Sequence, residues 1–77
     1  MIRAAMISAA VKERMDNDDN FAEFVKHSIV DFLKTDAEAP ETVEGIFGVY
    51  HMTEEGYDIQ IYSTPNRVIM VVEMLGE

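Results

Sequence analysis

Apolar and polar residues alternate most clearly between positions 45 and 75, where three runs of two-residue period are separated by turn-forming residues. The first runs from Ile46 to Thr53, the second from Tyr57 to Ser63, and the third leads through Met70 to Met74. Gly56 suits a tight three-residue loop between the first two, because glycine takes a positive φ at little cost. Thr64-Pro65-Asn66-Arg67 has proline where a type I turn prefers it. The pattern therefore predicts a three-stranded antiparallel meander over residues 45–75.

Placing Thr53 opposite Tyr57, and Thr64 opposite Arg67, sets an expected register. Phe47, Val49, His51, Tyr57, Ile59, Ile61, Val68, Met70, Val72 and Met74 then share the core side. Ile46, Gly48, Tyr50, Met52, Asp58, Gln60, Tyr62, Ile69, Val71 and Glu73 fall on the other side. That second face is too apolar for one simply bathed in water, which makes Tyr50, Met52, Tyr62, Ile69 and Val71 candidate partner-binding residues.

Upstream, the period changes to that of a helix. Ala4, Ile7, Val11 and Met15 form one stripe, and Ile2, Met6, Ala9 and Ala10 a weaker second one, predicting a helix over about 2–15 with two apolar sides. Such a helix is sandwiched or lies at a subunit contact, so the second stripe favours oligomerisation. A second helix is predicted over 21–34, capped by Asn20 with Glu23 three residues on, with Phe21, Phe24, Val25, Ser28, Ile29 and Phe32 on its core face. Val30 points outward, among charged residues. Residues 35–44 lack periodicity and are expected to be an acidic linker. The fold predicted is α+β: one domain over 1–77, with two N-terminal helices on one face of a three-stranded sheet.

Charge changes the picture most. The chain has 15 acids and 6 bases, a net of −9. Residues 1–34 hold six of those acids and five bases, whereas residues 35–77 hold nine acids and only Arg67. Such a surface repels nucleic acid phosphates and anionic lipid, which argues against binding to either. The apolar run near the N-terminus is too short to span a bilayer, and Lys12-Glu13-Arg14 follows it at once, against a secretory signal. With no cysteine, a disulfide framework and a thiolate metal site are excluded, and a cytoplasmic location is expected.

Motifs for chemistry are weak. Asp16, Asp18 and Asn20 have the spacing of a calcium loop, but Phe21 stands where its glycine belongs and His27 where its glutamate belongs. His27 pairs naturally with Asp31 one turn on, and His51 is expected on the apolar side of the sheet. Serines 8, 28 and 63 lack a glycine-flanked nucleophile turn, and glycines 45, 48, 56 and 76 form no phosphate loop. No enzyme, metal or cofactor is expected. The composition suggests a small acidic protein-binding module whose partner has a basic surface. Its most concrete form is an inhibitor of a nucleic-acid-binding protein acting by charge mimicry, as a phage or mobile element would carry. Glu38, Glu41, Glu44, Glu54, Glu55 and Asp58 would form one acidic rim, with Tyr50 and Tyr62 as anchors. The alternative is a homodimer or higher oligomer in which the outer sheet face is a subunit contact.

Overall fold

The computed structural model describes residues 1–52 and 57–77, and its element order is β1 (Ala4–Ile7), α1 (Ala9–Asn17), α2 (Asp19–Glu38), β2 (Phe47–Met52), β3 (Tyr57–Ser63) and β4 (Ile69–Met74). The fold is α+β. The sheet, however, has four strands in the order β1-β4-β3-β2, and it is mixed: β1 runs parallel to β4, while the other two pairings are antiparallel. Among the described residues no helix is long and apolar enough to cross a membrane.

The expected helix over 2–15 is thus two elements. Residues 4–7 add to the open side of β4, with Ala4 opposite Ile69 and Ile7 opposite Val72. Ser8 then starts α1 by accepting a hydrogen bond from the Val11 amide at 3.2 Å. An alanine-rich segment favours helix, but propensity is worth only tenths of a kcal/mol per residue, and a backbone ladder with a half-buried Ile7 packed against the core overrides it. Val11 is fully buried, and Met15 packs against the same core.

Asp18 separates the two helices. Its side chain accepts from the Asn20 and Phe21 amides, so the cap of α2 is Asp18 rather than Asn20. The helix continues past the expected end at Lys34 to Glu38, absorbing part of the predicted linker. Phe21, Val25, Ser28, Phe32 and Asp36 form its buried stripe, whereas Phe24, expected in the core, is only half-buried. Val30 faces solvent, 67% exposed. His27 lies 3.8 Å from Glu23, one turn back, rather than beside Asp31.

Asp36 is not a linker acid. Its Oδ1 accepts from Arg67 Nε at 2.8 Å, and both residues are buried. The remaining guanidinium N–H groups point to the carbonyls of Asp36, Ala39, Pro40 and Val43, closing the C-terminus of α2 and the segment after it. Arg67 itself has φ +59°, the left-handed region. The turn at 64–67 forms as expected, with Arg67 N–H donating to Thr64 C=O. Because the chain then bends at Arg67, Thr64 bonds to Ile69 and the β3–β4 ladder is two residues out of the predicted register: Ile61 opposes Val72 and Ile59 opposes Met74. An even shift preserves the faces. Ile59, Ile61, Met70 and Val72 form the sheet's share of the core, against Val11, Phe21, Val25 and Phe32 from the helices.

The β2–β3 ladder differs by one residue, and an odd shift turns the strand over. Met52 opposes Tyr57, Tyr50 opposes Ile59 and Gly48 opposes Ile61. Tyr50 and Met52 therefore lie on the covered side, packed against the core, while Phe47, Val49 and His51 face outward. The predicted loop around Gly56 lies outside the described residues.

Candidate functional site

Both helices cover one side of the sheet, and the other side has no layer over it among the described residues. Directly opposed side chains share a face, so the registers fix what that bare side presents. A row runs across all four strands: Phe47 on β2, Tyr62 on β3, Val71 on β4 and Met6 on β1. Phe47 is 63% exposed and Met6 62%, while Tyr62 and Val71 between them are half-buried by their neighbours. Ile69 and Ala4 extend the apolar area toward the turn at Thr64.

Moving the other way, the face becomes polar. Val49, Gln60 and Glu73 form the next row, with Gln60 Nε2 donating to Glu73 Oε1. Beyond them His51 Nδ1 lies 2.9 Å from Asp58 Oδ1 across the β2–β3 pair. The Tyr62 phenol is pushed above its ordinary pKa by partial desolvation, then by the Glu73 carboxylate beside it and their hydrogen bond. The face is therefore amphipathic, with one half aromatic and aliphatic and the other acidic.

Of the expected contact residues, the structure brings Tyr62, Ile69, Val71 and Asp58 onto this face and removes Tyr50 and Met52 from it. Tyr50 is inside because Gly48 makes room: a Cβ on Gly48 would come within 2.9 Å of the Tyr50 ring. Burial, and then the charge of Asp31, raise the Tyr50 phenol pKa. Sequence periodicity missed Phe47, Val49 and Met6, the first two through the one-residue register difference and the last because its segment has a helical period.

The described acids of the expected rim stand in two places. Glu38, Glu41 and Glu44 are exposed around the end of α2 and the segment before β2, near the turn at Pro65, to which Gly45 N–H bonds. Asp58 lies at the opposite end of β3, five residues or about 17 Å along the strand from Ser63. Glu54 and Glu55 lie outside the described residues. What the structure adds is a local imbalance: Arg67 is buried on Asp36, so among the described residues of 35–77 no lysine or arginine is exposed.

No cluster of three or more metal-ligating side chains occurs among the described residues. The neighbours of the His51–Asp58 pair on this face, Val49 and Gln60, offer no nucleophile. A cleft of about 360 Å³ between Ile2, Leu33, Ala37, Glu41 and Arg67 borders the buried ion pair, but the guanidinium donors already have partners. No protein-family model, curated protein or solved structure matches the chain.

Proposed function

We propose that this chain is a non-enzymatic binding module that docks another protein on the bare face of its sheet. The observation carrying the reading is the row Phe47–Tyr62–Val71–Met6, apolar across every strand on the side the helices leave uncovered. Apolar patches bordered by polar groups are typical of protein contacts. Asp58 and Glu73 on the same face, and the unopposed acids at its ends, favour a partner with an apolar patch beside lysine or arginine. A nucleic-acid-binding protein is one partner with such a surface, and occupying its basic groove would inhibit it. The acids stand at two ends of the sheet, so this inhibition would rest on the aromatic face as much as on charge.

A face-to-face homodimer is the second reading, supported by the same apolar row. It brings Asp58 and Glu73 of two strongly negative chains together, which disfavours it. Affinity capture from host extract at low salt separates the two. A partner retained by the wild-type chain, lost with Tyr62→Glu and released by salt supports heterotypic docking. Retention unchanged by Tyr62→Glu, or by reversal of Glu54, Glu55 and Asp58 to lysine, contradicts it.

A further inference from the structure

The strand β2 ends the sheet, and its outer edge has a defined set of backbone groups. Ser63 N–H donates to Ile46 C=O, so Ile46 and Ser63 are a hydrogen-bonded pair of the antiparallel ladder. Alternation then directs Gly48, Tyr50 and Met52 toward β3, and the N–H and C=O groups of Phe47, Val49 and His51 away from it. Edge strands are usually blunted by proline, lysine or a bulge. Residues 47–52 contain none of these, nor any acid, in a chain of net charge −9.

We infer that β2 pairs with β2 of a second copy of this chain, antiparallel about a two-fold axis at Val49, joining two four-stranded sheets into one of eight strands. The sequence Phe-Gly-Val-Tyr-His is complementary to itself about that axis. Val49 faces its own copy through the outward backbone groups, and Phe47 comes opposite His51, ring beside ring on the bare face. On the covered face Gly48 comes opposite Tyr50, so no two bulky side chains oppose each other there. An isologous contact requires this kind of matching, in which residue i meets j and j meets i. The partner is a second copy because the strand fits itself and carries no acid, so the acids flanking it in the sequence, Glu44 on one side and Glu54 and Glu55 on the other, weaken the pairing without blocking it. The contact is narrow, one strand against one strand, so the dimer is of the weak, concentration-dependent class. It leaves Tyr62 and Val71 open in both copies, independently of what the bare face binds.

Sedimentation equilibrium from micromolar to millimolar protein tests this. The wild-type chain is expected to double its mass as concentration rises, and to do so at lower concentration in high salt, because salt screens the repulsion between like-charged copies. Val49→Pro removes an outward N–H that β3 does not use, and Val49→Glu sets two carboxylates against each other on an exposed position. Both are expected to remain monomeric with unchanged circular dichroism, while Tyr62→Glu, away from the edge, still dimerises. Should Val49→Pro unfold, Val49→Glu alone decides. A wild-type chain monomeric throughout the range overturns the inference. So does a dimer that survives Val49→Glu, or one dissociated by Tyr62→Glu alone.

Discussion

Arg67 holds three parts of the molecule at once: the last turn of α2, the segment after it and the start of β4. Its planar fork places donors on Asp36 Oδ1 and on successive carbonyls, a geometry that lysine lacks. Arg67→Ala leaves Asp36 buried without a countercharge and should destabilise by about 3–5 kcal/mol in urea unfolding, with Arg67→Lys recovering only part. Phe32 and Phe24 give a second comparison at this scale. Phe32 is fully buried and its truncation to alanine should cost about 3–5 kcal/mol, with Phe24→Ala costing less because part of its ring is already in water. The two tyrosines provide a pH test. Both phenols have folded pKa values above 10.0, Tyr50 through burial and then Asp31, Tyr62 through partial desolvation and then Glu73. A raised folded pKa means that the native state holds the proton more tightly than the unfolded chain. The associated stability is complete below 10.0 and is lost as pH rises through the folded values. The urea midpoint should therefore fall in alkali, and Tyr50→Phe should flatten the fall.

Among elements, β3 was legible because Ile59 and Ile61 alternate with Asp58 and Gln60, whereas β4 has four apolar residues in a row, Ile69 to Val72, and its buried face, Met70 and Val72, follows from its pairing with β3. In β2 both sides are nearly equally apolar, with Phe47 and Val49 against Gly48, Tyr50 and Met52, so the pattern does not choose and the register decides. In the observed register Gly48 lies on the covered side, under the Tyr50 ring. Gly48→Val should displace that ring and lower stability by about 1–3 kcal/mol, measurable by urea unfolding, whereas at a solvent-facing position valine would favour the strand. The N-terminal strand was hidden for a different reason. Ala4 to Ile7 has a helical period, and only the ladder offered by β4, 65 residues away at Ala4–Ile69, makes it a strand. Ser8, three residues before Val11, is the local sign of a helix starting there. The end of α2 was obscured because the stripe Phe21, Val25, Ser28, Phe32 finishes on an acid, Asp36, whose partner lies 31 residues on. Asp18 closes one helix and opens the next, and Asp18→Ala should cost about 0.5–2 kcal/mol by the same measurement.

At the scale of the whole molecule, the separation of functions follows from the sheet having one covered side. The helical layer contains the exposed lysines Lys12, Lys26 and Lys34 among its acids. Residues 35–77 have their single base, Arg67, buried, and three of the four strands that present the apolar row lie within them. Charge asymmetry was visible in the sequence, and so was the presence of an apolar outer face. Its membership was not, because a one-residue slip in β2 exchanges Tyr50 and Met52 for Phe47, Val49 and His51. The most direct test of the account places a photoreactive benzophenone side chain at Tyr62, in the middle of the bare face, and at Val30 on the exposed side of α2 as a comparison. Irradiation in the host is predicted to join the chain through position 62 to a second, basic protein, and to give no such adduct through position 30. An adduct formed equally from position 30, or none from position 62, would contradict the claim that this face is the binding surface.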